Sequence, residues 1–174
     1  MKKKDGLQTS RPAYILAADG KSALEKCALC RMCELVCSMR HFDVSNPCRS
    51  CITVVYDGKG KVKPQVCIQC PTHPCVSACP KGALGQDPVT RIYVVDTDKC
   101  DGCRGLQTPL CMEACPVPGA LKLSPEHKLL KCDLCGGEPI CIKTCYAGVL
   151  RMVDRKEGTQ TTFKGVKTLS KETR

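Results

Sequence analysis

Sixteen of the 18 cysteines fall into four groups that share one spacing. The groups are Cys27, Cys30, Cys33, Cys37; Cys67, Cys70, Cys75, Cys79; Cys100, Cys103, Cys111, Cys115; and Cys132, Cys135, Cys141, Cys145. Each opens with two intervening residues and closes with three, and only the middle gap varies, from two to seven. This is an internal repeat at the level of a ligand set. It constrains the interior directly. A chain of 174 residues suits one domain or two very small ones and ordinarily fills its core with large apolar side chains. This chain has no Trp, two Phe and four Tyr. Something other than side chains is expected to occupy part of the interior.

The surroundings of the thiols narrow what they hold. The N-terminal Met1-Lys2-Lys3-Lys4 leads into Leu7-Gln8-Thr9-Ser10 rather than an apolar run, and no stretch approaches 18 apolar residues. The expectation is a cytoplasmic chain with no membrane span and no secretory leader. Disulfides are rare in that reducing compartment. Paired Cys-x-x-Cys units also build closed zinc sites, so a zinc-rich binding module, including a nucleic-acid-binding one, is the alternative reading. Three cysteines within seven residues, Cys27 to Cys33, crowd a single zinc ion. A 4Fe–4S cubane instead offers four iron corners, each asking for one soft thiolate. A loop with cysteines at two-residue intervals wraps one face of such a cube. The cysteine three residues further on lies a helical turn away, and in two-cluster ferredoxins it ligates the neighbouring cluster. Sixteen thiolates suffice for four cubanes.

A second repeat follows the ligands. Cys79 begins Cys-Pro-Lys-Gly-Ala-Leu, Cys115 begins Cys-Pro-Val-Pro-Gly-Ala-Leu, and Cys145 begins Cys-Tyr-Ala-Gly-Val-Leu. Pro is expected to end the helix carrying the ligand, Gly to permit the turn, and the apolar pair to enter a covering strand. The first and fourth groups depart, with Ser38 and Tyr146 where Pro is usual. β-rich runs predict strands at Tyr14–Ala17, Ile52–Tyr56, Ile92–Val95, Ala120–Leu123 and Val149–Val153. Short helices are predicted at Glu34–Met39, Val76–Ala78, Met112–Ala114 and Ile142–Thr144. The fold class is therefore α+β, small and loop-rich, with two ferredoxin-like modules wrapped around iron–sulfur clusters.

The four-group pattern resembles the polyferredoxin electron-transfer subunits of the dimethyl sulfoxide reductase, formate dehydrogenase and hydrogenase type. Two stretches narrow it: Cys27-Ala-Leu-Cys-Arg-Met-Cys-Glu-Leu-Val-Cys with His41-Phe42 and Asn46-Pro47, and Lys131-Cys-Asp-Leu-Cys-Gly-Gly-Glu-Pro. These are similar to the small iron–sulfur subunits that accompany tungsten enzymes of the aldehyde:ferredoxin oxidoreductase family, including the ATP-independent benzoyl-CoA reductase. The resemblance covers about Lys26 to Val153. It implies that Cys27, Cys30, Cys33 and Cys145 hold one cluster (a), and Cys132, Cys135, Cys141 and Cys37 its neighbour (b). Cys67, Cys70, Cys75 and Cys115 would hold a third (c), and Cys100, Cys103, Cys111 and Cys79 the fourth (d). Pairing group one with two, and three with four, satisfies the same counts. The implied organisation is an outer module of 1–57 and 116–153, an inserted module of 58–115, and a basic tail of 154–174. The implied function is an electron-transfer subunit with four 4Fe–4S clusters, bound to a tungsten- or molybdenum-containing catalytic subunit and exchanging electrons with a further redox subunit or a soluble ferredoxin.

No nucleophile–base set, phosphate loop or acid/base pair is visible, so the chain is not expected to be an enzyme on its own. Arg31 and Arg104, each directly following a ligand, and Lys143, inside the fourth group, are candidate tuners of potential, with plain solvent exposure as the alternative. Cys48 and Cys51 are left unassigned and read first as spare thiols packed at the loop; the alternatives are a zinc site completed by His41 or another chain, and a redox-active dithiol. His41, His73 and His127 otherwise read as surface or loop residues. The formal charge of +10 would suggest an acidic partner or nucleic acid. Four oxidised cubanes with their thiolates carry about −8 in all, which leaves roughly +2 and removes that argument.

Overall fold

Short β-branched stretches separated by Gly and Pro become two-stranded ribbons, and each cysteine-rich stretch becomes a loop leading into a short helix. The computed structural model describes residues 13–17, 26–56 and 62–154; the basic tail expected beyond 154 lies outside them. In chain order the elements are β1 (Ala13–Ala17), α1 (Met32–Phe42), β2 (Ile52–Tyr56), β3 (Val62–Val66), α2 (Pro74–Ser77), β4 (Leu84–Gln86), β5 (Tyr93–Val95), α3 (Leu110–Glu113), β6 (Lys122–Leu123), β7 (Leu129–Leu130), α4 (Ile140–Thr144) and β8 (Leu150–Asp154). All pairing is antiparallel: β1 with β8, β2 with β3, β4 with β5, and β6 with β7. The β1–β8 ribbon sets Ala13 opposite Asp154 and so ties the two ends of the described chain together. The architecture is α+β, loop-rich and ferredoxin-like.

Each helix carries the third cysteine of its group, and the fourth follows about one turn later, so both point to the same side. The helices start two residues earlier than the sequence reading placed them. For three of them the reason is a proline before the third cysteine: Pro74 occupies the first turn of α2, while Pro109 and Pro139 stand at the N-caps of α3 and α4; α1 starts instead after Arg31, a left-handed N-cap. Pro80 and Pro116 do not end helices as expected. α2 and α3 stop earlier, where the Ala78 N–H donates to Pro74 O at 3.0 Å and the Ala114 N–H to Leu110 O at 2.9 Å. α1 runs to Phe42 and ends at Asp43, which is left-handed and donates to Met39 O.

The strand at Ile52–Tyr56 lies where it was read. β6 is shorter than expected, because Ala120 and Leu121 are buried without pairing. Three strands were not anticipated. β3 contains Pro64, which a two-stranded ribbon tolerates because one edge needs no ladder donor. β4 and β7 are only three and two residues long.

Two buried clusters form the interior, and thiols make up much of both. One gathers Cys37, Cys51, Cys67, Cys132 and Cys141 with Ile52, Val66, Leu134 and Leu150. The other gathers Cys75, Cys100 and Cys111 with Leu84, Leu121 and Leu129. α1 packs on α4, and α2 on α3. Gln69 stitches the clusters: its Nε2 donates to Cys132 O at 2.7 Å and Tyr93 O at 3.2 Å, and its Oε1 accepts the Tyr93 N–H at 3.0 Å.

Glu34 anchors α1 to β2. It is fully buried, its Oε1 accepts the Val54 N–H at 2.7 Å and its Oε2 accepts from Arg31 Nε at 2.5 Å. Removing this carboxylate leaves a buried N–H without an acceptor, which costs about 1–3 kcal/mol. We predict that Glu34→Ala lowers the unfolding free energy obtained from chemical denaturation by about 1–3 kcal/mol. Glu34→Gln, which keeps an acceptor oxygen, is predicted to lose clearly less.

Candidate metal centre

The four cysteine groups share a backbone feature as well as a spacing. The residue before the second cysteine has a positive φ in every group: Leu29 at 56°, Gln69 at 48°, Gly102 at 68° and Leu134 at 57°. Left-handed backbone strains a residue with a Cβ, so three non-glycine examples at equivalent places reflect a common requirement. The hydrogen bonds supply a reason. The Gln69 N–H donates to Cys67 Sγ at 3.4 Å, and the Leu134 N–H to Cys132 Sγ at 3.4 Å. The turn aims amides at sulfur. Other amides do the same: Ala83 to Cys79 Sγ at 3.3 Å, Leu129 to Cys100 Sγ at 3.5 Å and Cys51 to Cys37 Sγ at 3.3 Å. The sequence carries this device only as the repeat itself, since Gly102 alone announces it by residue type.

The thiols converge in distinct places. One cavity is lined by Cys79, Cys100, Cys103 and Cys111, with Leu84, Val95 and Leu129 among its apolar walls. Another is lined by Cys27, Cys30, Cys33 and Cys145, with Val54, Pro64 and Leu150. Cys115 lies within electrostatic reach of Cys67, Cys75 and Cys70. Cys141 lies within reach of Cys37, Cys135 and Cys33, and Cys132 within reach of Cys67 and Cys141. Group one thus meets group four, and group two meets group three. None of the 18 cysteines is joined to another in a disulfide.

Burial makes these sulfurs expensive to ionise. It pushes the Cys33, Cys111 and Cys141 thiols up to about 12 and Cys115 to about 11. Cys132 is also pushed well up, chiefly by burial. Cys37 runs the other way, down to about 4, first through its hydrogen bond with Cys51, which keeps the shared proton. Crowded soft donors, amides turned toward sulfur and dry walls fit a thiolate-ligated iron cluster.

The interior also holds a cation. Lys131 is 6% exposed, its Nζ donates to Tyr93 O and, at 3.4 Å, to Cys132 O, and none of its contacts among the described residues is a carboxylate. A buried ammonium without an anion is costly, so this position fits a site whose occupant is negative. The tuners read from sequence lie elsewhere: Arg31 pairs with Glu34, Lys143 with Glu138 at 2.9 Å, and Arg104 is exposed.

The left-over residues separate. Cys51 is 9% exposed and sits on Cys37, whereas Cys48 is exposed, its N–H held by Asn46 Oδ1 at 2.9 Å. His41 does not join them. It lies on α1, Nε2 at 3.7 Å from Cys135 Sγ and 3.5 Å from Asp133 Oδ1, and its pKa is raised to about 10, first by Cys135 and then by Cys37. His73 stacks on Tyr93, ring centroids 3.4 Å apart. His127 turns its backbone carbonyl toward Gly102.

Repeated thiol-bearing loops with amides aimed at sulfur define an iron–sulfur protein of the electron-transfer class. Residues 58–155 match the family described as 4Fe-4S dicluster domain. The chain belongs to that family. It is 40% identical over 124 residues to the aliphatic sulfonate oxidoreductase polyferredoxin-like subunit of Pyrococcus furiosus, a match spanning 70% of this chain and 68% of that one. It is 39% identical to the hydrogenase-2 operon protein HybA of Escherichia coli O157:H7, over 58% of this chain and 33% of that one. Among solved structures it is similar to the active site complex BamBC of benzoyl coenzyme A reductase, with 26% identity, a TM-score of 0.47, and coverage of 86% of this chain and 82% of that chain. The resemblance to polyferredoxin-type subunits read from the sequence is borne out. Among the described residues, no helix is long and apolar enough to cross a membrane.

Gly102 offers a local test. A Cβ there would stand 2.0 Å from His127 O, and the position is left-handed. We predict that Gly102→Ala displaces the Cys100–Cys103 loop and lowers bound iron by about four atoms per chain, one cubane's worth, in colorimetric iron analysis.

Proposed function

We propose that this chain is a four-cluster electron-transfer subunit, non-catalytic by itself, that connects a tungsten- or molybdenum-pterin catalytic subunit of the aldehyde oxidoreductase or benzoyl-CoA reductase type to an external electron carrier. When bound, each 4Fe–4S cluster supplies a site that takes up and releases one electron. The ligand sets we propose are Cys27, Cys30, Cys33 and Cys145 (a); Cys132, Cys135, Cys141 and Cys37 (b); Cys67, Cys70, Cys75 and Cys115 (c); and Cys100, Cys103, Cys111 and Cys79 (d). The observation that carries this wiring is that two cavities are each lined by one complete set, a and d. The mutual reach of Cys115 with Cys67, Cys70 and Cys75, and of Cys141 with Cys37 and Cys135, supports sets c and b. On this reading residues 1–57 and 116–153 form one module around a and b, with 58–115 inserted to build c and d.

The chain's residues then perform three tasks. The cysteines hold the clusters as thiolates. Leu84, Val95, Val54 and Leu150 keep water from the outer two sites. The amides of Gln69, Leu134, Ala83 and Cys51 donate to sulfur, which favours the reduced state. Cys67 of set c and Cys132 of set b lie within electrostatic reach of each other, so the row runs a, b, c, d with the junction in the middle.

Double substitution tests the wiring. If Cys27 and Cys145 serve the same cluster, Cys27→Ala, Cys145→Ala and the double variant each lose about four iron atoms per chain. If they serve different clusters, the double variant loses about eight. For the partner, the prediction is co-elution from native extract with a larger subunit that carries tungsten or molybdenum by elemental analysis. Elution of the loaded chain with no metal-bearing partner would contradict it.

A further inference from the structure

Lys131 lies at the junction of the two halves. It follows β7, directly precedes Cys132, and its ammonium donates to the carbonyls of Tyr93 and Cys132, the same two oxygens that Gln69 Nε2 engages. Its charge also reaches Cys75 in the second group. Cys132 of group four and Cys67 of group two lie within each other's electrostatic reach. The cation therefore stands between the thiols assigned to b and those assigned to c. Two carbonyl oxygens solvate an ammonium partly, but they do not balance its charge, and no carboxylate does so among the described residues.

Resting on the wiring proposed above, we propose that Lys131 is the potential-setting residue of the junction, a fixed positive charge that makes the two central clusters the easiest to reduce. A reduced cubane carries one more negative charge than an oxidised one. A nearby cation held away from water stabilises that extra charge more than solvent-exposed Arg31, Arg104 or Lys143 can. Electrons entering from either end then come to rest in the middle of the row. Lys131 acts through the ligand sulfurs and backbone around it and is itself neither ligand nor catalyst.

The test compares Lys131→Gln, which keeps an N–H donor and drops the charge, with Lys131→Arg, which keeps the charge. Both are purified with clusters in place, analysed for iron, and titrated with redox mediators by EPR spectroscopy. Wild-type protein with about sixteen iron atoms upholds the four-cluster reading independently of this residue, and a far lower count would overturn that reading instead; the Cys27 and Cys145 variants test the wiring. With iron unchanged, Lys131→Gln is expected to weaken reduction of the highest-potential cluster at least tenfold, about 59 mV for one electron, and Lys131→Arg to leave it in place. Full iron with unshifted midpoints in Lys131→Gln would overturn the proposal. If Lys131→Gln loses iron, Lys131→Arg decides: full iron and an unshifted midpoint uphold a charge requirement, and lost iron or a shifted midpoint overturns it.

Discussion

Everything in this fold follows from the difficulty of keeping many sulfur anions indoors. A thiolate moved out of water needs a compensating positive partner or a set of oriented donors. The chain brings sixteen cysteines into four groups around two buried clusters. Without a bound centre, burial drives these thiols toward their neutral form. With iron present, each sulfur shares its charge with a metal corner, and the amides of the loops supply further donors. The protein can then be small and poor in aromatics, because inorganic bulk takes the place of Phe and Trp.

The fold is the minimum needed to hold those loops. Four ribbons, none wider than two strands, serve as covers and ties. The helices are one to three turns long and set the third and fourth cysteines on one side. Pairing α1 with α4 and α2 with α3 gives the molecule two halves, and Gln69 with Lys131 fills the seam between them. Both are buried, at 4% and 6% exposure, and both donate to the same two carbonyls. The seam is the expected place for a device acting on both halves at once.

Much of this was legible in the residues. Spacing alone announced the four cysteine groups, because a soft four-cornered cluster asks for closely spaced cysteines, whereas the sharing of cysteines between groups was implied only by the family resemblance. Ile52–Tyr56 read as a strand because its β-branched run is long enough to declare itself. What escaped had physical reasons. β4 and β7 are too short to have a period, and β3 hides behind Pro64. The starts of α2, α3 and α4 depend on Pro74, Pro109 and Pro139, and a proline's type does not say whether it opens a helix or, as expected of Pro80 and Pro116, ends one. The left-handed residues Leu29, Gln69 and Leu134 gave no signal, since their type does not favour that backbone. Charge misled in a different way. Arg31 and Arg104 directly follow cysteines and Lys143 lies between two, yet they turn outward or pair with carboxylates, while Lys131, directly before Cys132, is folded inward. Adjacency does not specify burial.

The most direct measurement of the central claim is paired iron and acid-labile sulfide analysis of anaerobically purified protein, with Mössbauer spectroscopy of the same sample. The account predicts about sixteen of each per chain and the signature of 4Fe–4S cubanes throughout. Stoichiometric zinc without labile sulfide, or cysteines joined to one another in disulfides, would contradict it.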